Sequence, residues 1–414
     1  MRKITADYIF PISSEPIKNG AITIDEDGTI IEVSSPLRGT SLGEQKSELE
    51  YFEGIICPGF INTHCHLELS HLKGEISENK GMAGFIGEIL SKRDLFSEKI
   101  IAEAIVNAEN ELIKNGIVAV GDISNNNNTF HQKSINNLFY HTFIEAFDLN
   151  PDRANEVFEK ALLLKNDLIK HTHLQHASHH TPSLEGNPRC SIVPHAPYTA
   201  SDKLFQLISE EAIKNNSIIS IHNQESEGEN EIFISKSGKL FELFSKMGIN
   251  MDFIKKTGVN SIQSTLPKFP LSQKILFVHN TFTTQSDIQF IKSQISNLRS
   301  QIYFCTCPNA NLYIENKLPD YSLFIRENVQ MTIGTDSLAS NWSLSILDEL
   351  KTISKYFPEI PLHTLLIWAT KNGADFLGLN QLGTIEKGKK PGLNLLKNLD
   401  GLKITAETEV IKLV

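Results

Sequence analysis

The sequence predicts an α/β fold: a (β/α)₈ TIM-type barrel with a small flanking β-sandwich built from both chain ends. Three observations carry this expectation. Eight short apolar runs separated by amphipathic helical stretches fill the middle of the chain, the rhythm of parallel strands joined by crossover helices. Period-two alternation marks the beginning of the chain, and turn-rich strand signals return at its end. The length of 414 residues accommodates either one large barrel-type domain or two ordinary ones, and the strand–helix alternation selects the barrel.

Taken in order, the opening segment alternates as in AITIDEDGTIIEV, with Asn19-Gly20 and Asp27-Gly28 at turn positions. It reads as short antiparallel strands. From Gly54 the runs are GIICPGFIN, IVAVGDIS, FYHTFIEAF, CSIVPH, SIISIH, KILFVHN, QIYFCTCPN and VQMTIGTD. Helical stretches at Glu98 to Asn115, Asp202 to Asn215 and Asn230 to Met247 separate them, and two more, Ser345 to Tyr356 and Leu362 to Leu377, follow the last run. GTIEKGKKPGLNLL and KITAETEVIKLV close the chain as it opened. Neither end buries enough apolar surface alone, so residues 1–57 and 383–414 are expected to form one composite β-sandwich beside a barrel of residues 58–382. The SNNNN segment at 124–128 and HTHLQHASHH at 171–180 fall between strands and read as loops.

Composition narrows the function classes. Hydrophobic residues at 40% and charged residues at 21% exclude a collagenous or largely disordered chain. The 39 basic against 49 acidic residues give a net charge of -10, a poor match for nucleic acid or an anionic membrane. No apolar run has the length of a signal peptide or a membrane span, so a cytoplasmic protein is expected. Cys57, Cys65, Cys190, Cys305 and Cys307 are odd in number and scattered, which argues against a disulfide framework and for a reducing compartment.

Catalytic groups of such a barrel gather at the C-terminal ends of its strands, so the polar residue ending each run is informative. The first run leads to Thr63-His64-Cys65-His66, the fourth to His195, the fifth to His222, the sixth to His279 and the eighth to Asp336. A lone strand-end histidine is more often an ordinary rim residue. Five histidines and an aspartate converging on one rim point instead to a divalent metal, because neutral imidazoles with a carboxylate suit Zn²⁺ or Fe²⁺. No cysteine has ligand-type partners, and a solvated loop is the better reading of His171, His173, His176, His179 and His180.

These residues resemble the metal-dependent amidohydrolase superfamily, and within it the aminohydrolase and chlorohydrolase branch that includes cytosine-, guanine- and aminodeoxyfutalosine-deaminase-like members. Pro58-Gly59-Phe60-Ile61-Asn62-Thr63-His64-Cys65-His66 is similar to the family's first-strand signature. Pro194-His195-Ala196-Pro197-Tyr198-Thr199 and His222-Asn223-Gln224-Glu225 resemble the fourth and fifth strand ends. Val278-His279, Cys307-Pro308-Asn309-Ala310-Asn311 and Gly334-Thr335-Asp336-Ser337 match the sixth, seventh and eighth. The Gly383 to Gly388 turn also matches, but Pro391-Gly392-Leu393-Asn394 departs from the usual Ala-Asp pair that follows it.

The resemblance implies that His64, His66, His222 and Asp336 hold one divalent metal per chain, Zn²⁺ in preference to Fe²⁺. His279 and Asp336 would manage the proton of the attacking water, and Glu225 would be the general acid. His195 is expected at the substrate. The fourth run lacks the lysine that bridges two metals in binuclear members, which implies a mononuclear site. Glu68 points the same way as His66 and is expected either to bind substrate or to pair with a lysine. Glu227, Glu229 and Glu231 sit at a helix start and read as capping or solvated carboxylates, with only Glu229 matching a family position. The implied activity is hydrolytic deamination of an aminated heterocycle, purine-, pterin- or nucleoside-like, with release of ammonia. Chlorohydrolase or amidase chemistry at the same donors is the alternative, and a non-catalytic binding barrel is a third reading. The implied partner is a small-molecule substrate, and a homodimer is compatible with the sequence.

Overall fold

The computed structural model describes residues 1–35, 49–176, 189–295 and 301–414, with the side chains of 172–176 outside the description. In chain order the strands are β1 (Arg2–Ile9), β2 (Ile17–Lys18), β3 (Ala21–Ile24), β4 (Ile30–Ser34), β5 (Leu49–Pro58), β6 (Phe60–Cys65), β7 (Ile117–Ser124) and β8 (Phe139–Ala146). They continue with β9 (Cys190–Pro194), β10 (Ile219–Asn223), β11 (Ile275–His279), β12 (Ile302–Thr306), β13 (Gln330–Ile333), β14 (Leu393–Lys397) and β15 (Glu409–Lys412).

Strands from both chain ends share one sheet in the order β15-β14-β5-β1-β3-β4, with β2 on β1. The sequence predicts a composite β-sandwich and reads its opening strands as antiparallel. The ten-residue β5 pairs on both edges, parallel to β1 and antiparallel to β14, and so joins the strands of the two chain ends in one hydrogen-bonded sheet. Ile4, Ile9, Ile22, Ile56, Leu393 and Leu395 form its apolar core. The run GIICPGFIN is correspondingly divided: GIICP ends β5 and FIN starts β6, with the break at Gly59. A Cβ there would stand 2.4 Å from Val118 Cγ1 and 2.9 Å from the Pro391 carbonyl, so only glycine allows this close approach.

The central strands form two four-stranded sheets, β6-β7-β8-β9 and β10-β11-β12-β13. The pairs β8–β9, β10–β11, β11–β12 and β12–β13 run parallel. Their residues are almost all buried, as strands covered on both faces must be. Helices such as Glu98–Lys114, Ala154–His176, Asp202–Asn215 and Gln285–Gln294 connect them. The one expected over Asn230 to Met247 is two helices, Glu227–Ser235 and Lys239–Lys246. Lys236 in the left-handed region and Gly238 at φ +96° break it. The HTHLQH portion of the expected histidine loop continues the helix to His176, because no glycine or proline stops it; residues 177–180 lie outside the described residues.

By internal contacts the chain divides into two units. One comprises 1–63, 110–119 and 345–414, and the other 64–109 and 120–344. No helix among the described residues is long and apolar enough to cross a membrane. All five cysteines are free thiols.

Candidate metal centre and active site

β6 runs into His64 and His66, whose alternation places both imidazoles on one side of the strand end. His66 Nε2 stands 3.2 Å from His64 Nε2 and 3.1 Å from His222 Nε2. Asp336 Oδ1 is 3.5 Å from both His64 Nε2 and His66 Nε2. Nitrogen donors at roughly 2.0–2.1 Å from a tetrahedral ion have donor–donor edges of about 3.3–3.4 Å. The four separations among these atoms lie close to that edge, and His64, His66 and His222 form one group that could hold an ion, with His64, His279 and Asp336 a second that shares His64.

Two of the donors, His222 and Asp336, are aimed by a partner on their far side. His222 Nδ1 donates to the His195 carbonyl at 2.8 Å, which leaves Nε2 as the inward-facing atom. Ser340 Oγ donates to Asp336 Oδ2 at 2.6 Å, so Oδ1 is the oxygen left for the histidines. The Asp336 backbone lies at φ 57° and its N–H donates to the His64 carbonyl at 3.0 Å. Strained backbone of this kind persists where the surroundings over-determine it. Gly334, just before it, has no room for a Cβ, which would meet His64 Cβ at 2.8 Å and Cys305 Sγ at 2.9 Å.

Burial keeps the imidazoles in their ligand form. It lowers His66 to about 3, His279 to about 4 and His222 well below the usual histidine range. At His64 burial also disfavours the charge, but the hydrogen bond and charge of Asp336, with smaller contributions from its other neighbours, together outweigh it and the pKa is raised. Burial pushes Asp336 up, yet the hydrogen bond from His64 and the field of the surrounding imidazoles hold it below the usual carboxylate range. Burial thus favours neutral nitrogen at His66, His222 and His279, while His64 is drawn toward the charged form by the ionised carboxylate of Asp336; imidazole nitrogen with a carboxylate is the donor chemistry of a metal site.

His279 ends β11 with a backbone φ of 72°. Its Nδ1 donates to Asn311 Oδ1 at 2.9 Å, which turns Nε2 toward Glu225 Oε1, 3.4 Å away. Burial, and secondarily the charge of Asp336, raise Glu225 well above the usual carboxylate range. A carboxyl that burial biases toward its protonated form therefore stands beside an imidazole that burial biases toward neutrality, at the edge of the donor cluster. His195 lies against His222, ring centroids 4.8 Å apart, with its Nδ1 on Thr199 Oγ1 at 2.9 Å. Glu68 is buried, accepts the Asn125 backbone N–H at 3.0–3.1 Å and is pushed up to about 8 by burial.

Every strand-end residue singled out in the sequence thus lies in this neighbourhood, and the carboxylates after it differ among themselves. Glu229 is not a solvated capping residue. It is buried, accepts the Gln224 N–H at 2.9 Å and the Ser261 hydroxyl, and so braces the turn that carries Glu225. Glu227 is exposed. Two residues escaped the sequence reading. Asn311, which orients His279, closes the Cys307 to Asn311 motif but has no periodic signal of its own. Glu145 places Oε1 3.4 Å from His222 Nδ1 while its Oε2 accepts from Asn125 Nδ2 at 2.9 Å. Its position at the end of the run FYHTFIEAF was the available clue.

Parallel sheets that present buried imidazoles and carboxylates at their strand ends define a hydrolase built around a metal-binding cluster. The amidohydrolase family model matches residues 55–413, so the chain belongs to the amidohydrolase family, metal-dependent hydrolases of carbon–nitrogen bonds. It is 26% identical over 393 residues to an adenosine deaminase of Helicobacter pylori, covering 92% of this chain and 88% of the relative. With a 5'-deoxyadenosine deaminase of Methanosphaera stadtmanae it shares 24% identity over 391 residues, 91% of this chain and 81% of the relative. The crystal structure of Helicobacter pylori aminofutalosine deaminase in complex with methylthio-coformycin matches at a TM-score of 0.75 and 24% identity, covering 98% of this chain and 94% of that one. An adenosine deaminase from Xanthomonas campestris with bound zinc matches at 0.66 and 19% identity, over 95% and 84%. The two structures share the fold of this chain.

Proposed function

We propose that this protein is a metal-dependent hydrolytic deaminase that releases ammonia from an aminated purine nucleoside or a close analogue. The observation that carries the reading is Glu225, a buried acid with a raised pKa beside His279 and the donor cluster. A glutamate that keeps its proton at neutral pH can donate it to a ring nitrogen. Cleavage of an amide at the same donors needs that proton less, because its carbonyl oxygen can be polarised directly by the ion. The deaminase names of the relatives, adenosine and 5'-deoxyadenosine deaminase, support the same choice and the nucleoside class.

His64, His66, His222 and Asp336 would hold one ion per chain, with zinc supported by the donor set and by the zinc in a structural neighbour. Such an ion supplies Lewis-acid activation of the hydrolytic water. Asp336 and His279, ionised and neutral respectively, stand ready to accept the proton that this water loses. Glu225 donates to the ring nitrogen next to the carbon under attack. The proton accepted from the water then passes to the amino group, which leaves as ammonia, and the second water proton, on the added hydroxyl, returns to Glu225, so that a carbonyl replaces the amino group on the ring. Substrate contact is assigned to His195, whose ring lies against that of His222, and to Glu68, whose carboxylate holds the Asn125 N–H.

The seam hydrogen bonds support closure of the two central sheets into a (β/α)₈ barrel: His222 N–H to the His195 carbonyl at 3.0 Å, and Thr335 and Asp336 N–H to the His64 carbonyl at 3.1 and 3.0 Å. The shared terminal sheet supports reading residues 1–57 and 383–414 as one module. The test of function is ammonia release by zinc-loaded protein against a panel of adenosine, 5'-substituted deoxyadenosines, guanine, cytosine and aminated pterins and triazines. Turnover confined to a chlorinated ring or an amide would overturn the reading.

A further inference from the structure

The histidine pair creates a problem that the chain solves from elsewhere. His66 is the residue immediately before the 3₁₀-helix Leu67–Leu72. A residue in that position ordinarily uses its side chain to satisfy one of the free N–H groups of the helix start. His66 makes no such bond, because its imidazole is turned into the donor cluster. The Leu67 N–H, on a fully buried residue, instead donates to Asp122 Oδ1 on β7 at 2.8 Å.

Asp122 has no exposed surface, and an unpaired carboxylate would be costly there. Its other oxygen, Oδ2, lies 2.6 Å from Lys133 Nζ, on the short helix Phe130–Ser134. Lys133 is itself only 3% exposed. It also donates to Ser124 Oγ at 2.9 Å, and it lies 5.9 and 5.7 Å from the ring centres of Phe130 and Tyr140. One carboxylate oxygen therefore takes the lysine, and the other takes the amide that follows His66.

We propose that Asp122, ion-paired with buried Lys133, is a positioning residue that caps the helix start in place of His66 and so holds the His66 ring at the metal site. The inference rests on the reading of His66 as a metal ligand. The physical link is short: the hydrogen-bonded amide belongs to the peptide unit that carries the His66 carbonyl. Release of that peptide lets the His66 backbone rotate and its Nε2 leave a cluster whose distances to His64 and His222 are 3.2 and 3.1 Å. Metal sites tolerate displacements of only about 0.2 Å, and loss of an outer partner of a ligand typically costs about 10- to 100-fold in metal affinity.

The test separates this role from that of a buried ion pair which merely stabilises the fold. In Asp122→Asn/Lys133→Met both charges are gone, but the asparagine oxygen still accepts from Leu67. In Asp122→Leu/Lys133→Met both charges and the acceptor are gone. Zinc affinity, by competition with a chromophoric chelator, and the thermal unfolding midpoint of the zinc-free protein are measured for each. The expected result is zinc affinity within about threefold of the parent for the asparagine variant and about 10- to 100-fold weaker for the leucine variant, at similar midpoints. Equal zinc affinity in the two variants would overturn the proposal. If the leucine variant does not fold, amide exchange at Leu67 in the unsubstituted zinc-free protein decides: slow exchange supports the cap, and exchange at the rate of an open amide refutes it. His66→Ala is the control for the underlying reading. Undiminished zinc binding there would remove His66 from the ligand set, whereas lost binding there with equal affinities in the double variants would refute the Asp122 role alone.

Discussion

Replacing Glu225 by glutamine removes one proton and little else. Glutamine has the same shape, and its amide can still reach His279 Nε2, from which Glu225 Oε1 stands 3.4 Å. The side chain is 12% exposed, so water is a poor substitute for the missing donor. General acid catalysis contributes about 10² to 10⁴ in rate, which is roughly 2.7 to 5.4 kcal/mol at about 1.36 kcal/mol per factor of ten. Ammonia release by Glu225→Gln should therefore fall by that factor in kcat, with zinc content unchanged. The pH profile gives a second readout. Burial raises the Glu225 pKa, so the proton-donating form persists to higher pH than in an ordinary carboxyl and activity is lost as pH rises through that raised pKa; the glutamine variant should lack this alkaline limb. Near-normal turnover at full zinc occupancy, or an alkaline limb that persists in the variant, would refute the reasoning.

Zinc analysis of the purified protein should give close to one ion per chain, and His64→Ala, His66→Ala and Asp336→Ala should each remove both the ion and the activity; two ions, or full occupancy after loss of Asp336, would contradict the proposed ligand set. Burial lifts Glu229 from the ordinary 4.5 to about 7, so the folded state binds its proton more tightly than the unfolded chain does. Its contribution to stability is therefore constant below about pH 4.5, declines as pH rises toward 7 and is level above that, a loss of up to about 3 kcal/mol. Urea unfolding of Glu229→Gln at pH 5 and 7.5 should show a correspondingly smaller difference between the two pH values than the parent does. Leu395→Ala, at a position 2% exposed in the terminal sheet, should cost about 2–5 kcal/mol in urea unfolding while leaving zinc content intact. Deleting residues 383–414 should uncover Ile4, Ile9 and Ile56 and produce aggregation detectable by light scattering; a soluble, cooperatively unfolding truncation would show that the two chain ends do not depend on each other.

The candidate metal-site residues are legible in the sequence because strand polarity is a local property. An apolar run that ends in a histidine or aspartate, repeated in a strand–helix rhythm, places that residue at the same end of its sheet each time. His64, His66, His222, His279 and Asp336 can all be read in this way, as can Glu225 from its spacing after His222. The parallel pairing of β5 with β1 departs from the antiparallel reading of the opening strands for a non-local reason: whether β5 pairs with β1 in parallel and with β14 on its other edge depends on segments far apart in sequence.

Tertiary structure alone decided how these side chains are aimed and charged. The inward nitrogen of His222 depends on the His195 carbonyl, that of His279 on Asn311, and the free oxygen of Asp336 on Ser340. Glu229 turned from a helix-start carboxylate into a buried brace only when Ser261 arrived from a distant segment. Such partners leave no period in the sequence, because one hydrogen bond needs one atom at one distance and can be supplied from anywhere the fold brings close. Burial acts in the same way: the proton on Glu225 is kept by the low-dielectric surroundings that the whole fold assembles around it, and no short stretch of residues encodes those surroundings.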